Sequence, residues 1–108
     1  MAWTVETLNE LVDAELDALP ADMRARFEHV SRLIAEFGLE RVREPHVKHL
    51  AGPLWEMRLK GKDGISRALY VTAIGRRVVV VRVFVKKTQK TPHEEIELAL
   101  KRAKGILQ

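Results

Sequence analysis

The sequence contains no cysteine among its 108 residues. Disulfide bonds, thiolate zinc sites and cysteine nucleophiles are therefore excluded. It also lacks any apolar run close to the roughly 18–20 residues that a membrane-spanning helix needs, so no membrane partner is expected. The first residues, MAWTVETLNELVDAEL, are acidic and lack the basic start and apolar centre of a signal peptide. We therefore expect a cytoplasmic protein.

The length predicts one domain over residues 1–108, with a single modest core. Hydrophobic residues make up 46% of the chain and charged residues 31%, which is typical of a folded protein rather than a disordered one.

The charges are strongly segregated along the chain. Residues 1–40 hold nine acidic and three basic side chains, whereas residues 41–90 hold thirteen basic and three acidic ones. Such asymmetry concentrates positive potential on one part of a small domain, and a polyanion is the natural partner. The alternative is a solvated charged surface that has no partner.

Hydrophobic spacing divides the N-terminal half into a strand and two helices. Residues 3–7 alternate apolar and polar side chains and predict a short edge strand. Helical spacing runs from Leu8 to Leu19 and again from Met23 to Phe37, which predicts two helices joined at Pro20. Gly38 is expected to end the second helix. Residues 41–53 are predicted to be a connector.

The C-terminal half predicts three strands and a helix. Period-two alternation covers Leu54–Lys60 and Ile65–Ile74, with turns at residues 61–64 and 75–76. Arg77–Val85 is β-branched on both faces, as expected for a central strand. A last helix begins at His93. The predicted class is α+β: a small antiparallel sheet, made of the N-terminal strand and a three-stranded meander, with helices on one face. The other face should be partly open and basic.

Several catalytic arrangements are missing. The sequence has no serine nucleophile elbow, no glycine-rich phosphate loop and no pair of acids in the basic region, where Glu56 and Asp63 are the carboxylates of the strands. His46 and His49 are three residues apart, but no third ligand accompanies them, so no metal site is predicted. Lys48 is better assigned to the basic surface.

The remaining candidates are basic residues on adjacent strands. Arginine holds phosphate oxygens in a planar fork and lysine supplies a compact charge. Such a set can bind a nucleic-acid backbone without chemistry, or stabilise the charge that develops when a ribose 2′-hydroxyl attacks the adjacent phosphate. The set comprises Arg58, Lys60, Arg67, Arg82, Lys86, Lys87 and Lys90, together with Tyr70.

Several segments also resemble a known family. They are LWEMRL (54–59), SRALY (66–70), VFVKKTQKTP (83–92) followed by EIELA (95–99), ELDALPADMR (15–24) and the K-x-L-x-G-x-L-W run (48–55). Together they cover nearly the whole chain and resemble the HigB-like, phage-derived branch of the RelE/ParE toxin superfamily. The resemblance implies a RelE-like fold and the toxin of a type II toxin–antitoxin module.

Members with this pattern cut messenger RNA, typically in the ribosomal A site, without a metal or other cofactor. The resemblance further implies a small HigA-like helix-turn-helix antitoxin as partner, with operator DNA contacted only through that antitoxin. Arg58 and Arg67 are then first choices for phosphate and transition-state contacts, and Lys86 and Lys87 occupy the place of basic active-site residues. The implied RNA-binding residues are Lys48, Lys60, Arg82, Lys90, Tyr70 and His93.

Two points stay open within the resemblance. The histidine- and tyrosine-bearing C-terminal active site of some relatives is absent, so the general acid and base are unassigned. His93 is either a proton donor or a residue of the first helical turn. The function is open as well, because a ParE-like gyrase inhibitor or a non-catalytic relative that binds RNA and antitoxin would share these features.

Overall fold

The computed structural model describes residues 2–43, 46–86 and 90–107. The chain begins with β1 (Thr4–Thr7), α1 (Glu10–Asp17), α2 (Ala21–Phe37) and a short 3-10 turn (Leu39–Arg41). It continues with β2 (Val47–Ala51), β3 (Leu54–Gly61), β4 (Gly64–Ala73), β5 (Arg77–Lys86) and α3 (His93–Leu107). The predicted α+β class is confirmed, as are both predicted N-terminal helices, the three-stranded meander and the last helix.

The five strands form one sheet in the order β1-β5-β4-β3-β2. Strands β2 to β5 pair antiparallel, but β1 pairs parallel with β5, Thr4 lying opposite Arg77. The sheet is therefore mixed rather than purely antiparallel. Tight turns fix the antiparallel order of the meander, whereas β1 reaches its neighbour only through a long connection, which permits the parallel orientation.

Strand β2 lies within the segment that we predicted as a connector. It pairs with β3 through the turn at Gly52 and Pro53, where Gly52 has a φ of +53°. The register shifts between His49 and Ala51. Because β2 is short, irregular and close to a proline, its sequence lacks the regular alternation that would have predicted it. It forms the outer edge of the sheet.

Helices pack on both faces of the sheet. On the face that we call the α2 face, residues of α1 and α2 such as Val12 and Phe27 pack against Met57 and Ala68. On the opposite face, the α3 face, Ala99 and its neighbours pack against residues that include Leu54, Leu69 and Val79. The expectation that all helices lie on one face is wrong. The apolar residues on both faces of β4 and β5 are the physical reason, because each face needs a cover.

Local sequence explains where the helices begin and end. Asn9 caps α1, its side-chain oxygen accepting a hydrogen bond from the backbone N–H of Val12 at 3.1 Å. Pro20 precedes α2, and Gly38 ends it with a φ of +89°, which glycine adopts without a steric penalty. Within the described parts of the chain, no helix is both long and apolar enough to cross a bilayer.

Candidate nucleic-acid interface

Strand register brings the predicted basic residues together. Arg58 of β3 lies opposite Arg67 of β4, and both Lys60 and Lys86 pair with Ile65. Paired residues of a sheet share a face, and alternate residues along a strand return to the same face. These side chains therefore belong to the α3 face, in the part of the sheet near the start of α3.

Four of the predicted residues line one cavity of about 250 Å³ on this face. They come from β2, β3, β5 and the segment before α3, so distant parts of the sequence meet there. We call this cavity the basic cleft. Its lining residues are Lys48, Leu50, Glu56, Arg58, Lys86, Lys90, Thr91 and Ile96.

A buried carboxylate lies at the bottom of the basic cleft. Glu56 is 2% exposed, and its Oε2 accepts a charge-assisted hydrogen bond from Nη1 of Arg67, which is 3% exposed. The other carboxylate oxygen accepts a hydrogen bond from the hydroxyl of Thr91 at 2.8 Å. Glu56 therefore fixes Arg67 and also attaches the segment before α3 to the sheet.

Arg67 thus has a different environment from the one that we predicted. Burial lowers the pKa of Arg67, the carboxylate of Glu56 opposes this effect, and the charge of Arg58 adds to it. Because a guanidinium stays protonated in proteins, Arg67 is a fixed positive charge held beneath the cleft. It is not an exposed side chain that could reach out to a phosphate.

Two donors near the cleft have no acceptor within the described residues. The Nε atoms of Arg58 and Arg67 are both buried and make no hydrogen bond. Buried donors of this kind are rare in folded proteins and call for an explanation. Arg58, which lines the cleft, is the one of the two that an anion bound there would contact.

The ammonium group of Lys86 experiences several neighbouring charges. Burial lowers the pKa of Lys86, the charges of Arg67, Arg58 and Lys48 lower it further, and Glu56 partly opposes them. A lysine whose pKa is lowered loses its proton more readily than an ordinary one. Lys86 is therefore our candidate among the cleft residues for exchanging a proton.

Other predicted residues lie outside the basic cleft. Lys60 is exposed on the same face, in the row of Lys86. His93 is the first residue of α3, is exposed, and contacts Glu97 one turn later at 2.8 Å. Its interpretation as a residue of the first helical turn is the one that the structure supports. Lys87 lies outside the described residues.

Arg82 belongs to an ion-pair network rather than to the cleft. Its guanidinium contacts Glu15 of α1 at 2.8 Å and Glu95 of α3 at 2.7 Å, and Arg102 contacts the same Glu15 at 2.9 Å. Hydrogen bonding to Glu95 raises the pKa of Arg82. Contrary to our prediction of an RNA contact, Arg82 joins two helices to β5. The network thus gives Glu15 two cationic partners.

Tyr70 was predicted to bind RNA together with the basic residues, and the structure contradicts this. Its side chain is 1% exposed and packs in the core under α2, on the face opposite the basic cleft. Alternation along β4 causes this, because Arg67 and Tyr70 are an odd number of residues apart. Burial raises the pKa of Tyr70, so its hydroxyl stays protonated.

The sequence analysis missed Glu56 and Thr91 as members of the site. A signal was present, because Glu56 is one of few acids in a strongly basic region. Its burial could not be predicted, since alternation places it among charged residues that would be expected in solvent. Within the described residues, no group of three or more histidine or acidic side chains is arranged to hold a metal ion.

The fold is similar to that of RelE toxins. A double arginine-to-alanine mutant of the E. coli toxin RelE in the free state aligns with a TM-score of 0.66 and 18% identity, over 94% of this chain and 98% of that one. The archaeal RelE–RelB complex from Pyrococcus horikoshii OT3 contains a chain that aligns with a TM-score of 0.56 and 20% identity, over 81% of this chain and 98% of that one. The predicted RelE-like fold is confirmed.

The family is shown by sequence. The family described as "Phage derived protein Gp49-like" matches residues 14–104, and the chain therefore belongs to this family. No curated protein matches the sequence. The phage-derived part of the resemblance is thus confirmed by the family, whereas membership of the RelE/ParE superfamily and the assignment to HigB stay predictions.

Proposed function

We propose that this protein is the toxin of a type II toxin–antitoxin module and cleaves messenger RNA on the ribosome. The observation that carries the proposal is the convergence of Lys48, Arg58, Lys86 and Lys90 around one cleft. A polyanion is the ligand that such a cleft favours. The RelE-like fold and membership of the Gp49-like family support the same reading.

The proposed reaction is transesterification at phosphorus. The ribose 2′-oxygen attacks the adjacent phosphate and forms a P–O2′ bond as the P–O5′ bond breaks, which gives a 2′,3′-cyclic phosphate and a 5′-hydroxyl. Negative charge builds up on the non-bridging oxygens, and preorganised cations stabilise it. Arg58 would contact these oxygens, while Arg67 supplies positive charge from beneath.

Lys86 is the proposed proton acceptor. In its neutral form it would take the proton of the 2′-hydroxyl, and its lowered pKa favours that form more than in an ordinary lysine. The proton required by the leaving 5′-oxygen would come from solvent or from a ribosomal group. This proposed route uses no metal or other cofactor.

The proposed partners are the translating ribosome, its messenger RNA and a cognate antitoxin encoded in the same module. The solved complex of a RelE with its RelB is the structural precedent for an antitoxin partner. We propose a HigA-like helix-turn-helix antitoxin, with operator DNA contacted through it. The proposed location is the cytoplasm, where translating ribosomes are found.

A translation extract programmed with a defined messenger RNA tests the proposal, with cut sites mapped by primer extension. The variants are Arg58→Ala and Lys86→Ala, and the matched control is Lys101→Ala, which removes an exposed lysine of α3 outside the cleft. We expect cuts with the wild-type protein and the control, and a loss of roughly 100-fold or more for each cleft variant.

Three outcomes contradict the proposal in different ways. Equal cutting by the cleft variants would place the active site elsewhere. Cutting of free RNA without ribosomes would remove the ribosome from the mechanism. Arrested DNA supercoiling with intact messenger RNA would favour a gyrase inhibitor, and RNA binding without any cleavage would favour a non-catalytic relative.

A further inference from the structure

A second cavity lies on the α2 face, at the edge of the sheet. Its volume is about 540 Å³, within the range of small-molecule binding sites. It lies between the 3-10 turn that follows α2 and the edge strand β2. Its apolar and aromatic lining consists of Leu39, Val42, Val47, His49, Trp55 and Tyr70. We call it the aromatic cavity.

Trp55 gives this cavity an accessible aromatic surface. Its side chain is 38% exposed, so part of the indole ring is accessible to a ligand. The ring of His49 stands against it at 5.1 Å between ring centroids, with an interplanar angle of 66°. A hydrogen bond of 2.8 Å between Nε2 of His49 and the carbonyl oxygen of Gly52 fixes that imidazole. The aromatic pair is therefore preorganised.

The aromatic cavity and the basic cleft are connected through Lys48. This lysine lines both cavities, although they lie on opposite faces of the sheet. It can do so because β2 is the edge strand and its long side chain reaches the rim. Lys48 pairs with Glu56 of the cleft, and the next residue, His49, pairs with Trp55 of the cavity. A ligand chain that crosses this edge would meet a cation at the crossing point.

We infer that the aromatic cavity binds one base of the single-stranded RNA whose scissile phosphate lies in the basic cleft. The inference rests on the proposed function and adds a base subsite to it. Single-stranded nucleic acids are commonly held by basic grooves that follow the backbone and by aromatic side chains on which bases stack. Lys48 would bind the phosphate between the two subsites, and Trp55 would stack on the base.

The rim of the cavity adds a source of base preference. Arg43 and Glu40 both line it. The carboxylate of Glu40 can accept a hydrogen bond from an exocyclic amine, which cytosine, adenine and guanine carry and uracil lacks. The positive charges of Arg43 and Lys48 match the phosphates on either side of the base. Charge and continuity with the cleft thus favour RNA over an apolar protein segment as the occupant.

Binding of a short 2′-O-methyl oligoribonucleotide, which cannot be cleaved, tests the inference. Its affinity is measured by the fluorescence anisotropy of a terminal dye, for the wild type and for Trp55→Leu, which keeps apolar bulk but removes the stacking surface. The matched control is Phe37→Leu, since Phe37 is an aromatic residue that is 57% exposed and lies outside the cavity lining. An abasic oligomer with the same number of phosphates is the ligand control.

We expect Trp55→Leu to weaken binding of the oligonucleotide roughly 5- to 150-fold, the range for loss of one stacked base, and to leave binding of the abasic oligomer unchanged. Phe37→Leu should bind both as the wild type does. In a second measurement, the Trp3→Phe protein retains Trp55 as its tryptophan. The oligonucleotide should quench its fluorescence and the abasic oligomer should not.

The inference is overturned if Trp55→Leu binds the oligonucleotide as tightly as the wild type, or if Trp55 is not quenched. It is also overturned if Trp55→Leu weakens binding of the antitoxin but not of the oligonucleotide, which would make the cavity a protein-docking site. Cleavage in the translation extract is measured separately. If the wild-type protein cleaves messenger RNA but Trp55→Leu does not change oligonucleotide binding, only the base subsite is contradicted. If the wild-type protein does not cleave messenger RNA, the proposed function is contradicted.

Discussion

Glu56 and Arg67 form a buried ion pair between neighbouring strands, and the same carboxylate accepts a hydrogen bond from Thr91 before the last helix. The pair lies at the bottom of the basic cleft, where Arg58 and Lys86 are its neighbours. Glu56 thus holds Arg67 and the segment before α3 in place beneath a cleft whose other charged lining residues are basic. This arrangement has consequences for stability as well as for activity.

The ion pair should be costly to break from one side only. Glu56→Leu leaves the charge of Arg67 buried and unpaired, and we expect the free energy of unfolding to fall by about 3–5 kcal/mol. Adding Arg67→Met should recover much of this loss, because both charges are then replaced by apolar groups. Urea denaturation measures each free energy of unfolding, and the four proteins form a double-mutant cycle.

The exposed pair of Glu6 and Arg77 serves as the control for this cycle. Its side chains are 39% and 45% exposed, so Arg77→Ala should change stability far less than Glu56→Leu does.

A folded double variant of Glu56 and Arg67 that has lost cleavage would show that the pair serves the reaction. Full cleavage by that variant would mean that the pair is structural alone.

The pH dependence of cleavage should report on Lys86. If its neutral form accepts a proton, the rate rises with pH and levels off above its pKa, which lies below the ordinary value of 10.5. Lys48→Ala removes a positive charge, so the pKa of Lys86 rises and the profile moves to higher pH. Glu56→Gln removes a negative charge, so the profile moves to lower pH. Single-turnover rates on stalled ribosome complexes give the profiles.

Replacing Lys86 with arginine distinguishes the effect of its positive charge from its proposed role as proton acceptor. Lys86→Arg keeps the positive charge but cannot give it up near neutral pH, so cleavage should fall roughly 100- to 10,000-fold while RNA affinity is retained. Unchanged cleavage by Lys86→Arg, with an unchanged pH profile, would show that Lys86 contributes charge and not proton transfer.

Arg82 should matter for stability rather than for RNA. Arg82→Ala leaves Glu15 and Glu95 without their shared cation, and because these groups are partly exposed we expect a loss of about 1–3 kcal/mol. Thermal or urea unfolding measures it. The folded Arg82→Ala protein should bind the oligonucleotide as the wild type does. A large loss of affinity in the folded variant would show that Arg82 contacts RNA.

The salt dependence of RNA binding should count the phosphate contacts of the cleft. For single strands, the slope of log K against log salt concentration decreases in magnitude by about 0.7 for each contact removed. Arg58→Ala and Lys90→Ala should each reduce the slope by about this amount, measured by anisotropy from low to moderate salt. Lys101→Ala should leave the slope unchanged, and an equal reduction there would indicate non-specific attraction.

The sequence predicts the local part of this architecture well. Alternation and two tight turns predicted the meander, and the register of that meander places Arg58 opposite Arg67. Alternation along β4 also accounts for the position of Tyr70 on the other face, where the RNA contact implied by the resemblance is not formed. These features depend on neighbours in sequence, where strand period and turn chemistry decide the outcome.

What the sequence could not predict depends on long-range contacts. The parallel pairing of β1, the position of α3 on the second face and the burial of Glu56 each join segments that are far apart in the chain. No local pattern encodes a partner such as Thr91 for Glu56. The sequence thus named four of the residues that line the cleft but not the acid that lies beside them, and their role in a reaction stays a prediction.

The pairing of β1 with β5 also sets the order in which the protein can fold. Thr4 and Arg77 are brought together only when most of the chain exists, so the first strand waits unpaired while the rest is synthesised. The basic cleft has the same requirement, since Thr91 contributes to it. A partly synthesised chain therefore lacks the complete cleft and could not carry out the proposed cleavage of messenger RNA. The ribosome that makes the protein has translated nearly all of its message before the cleft can form.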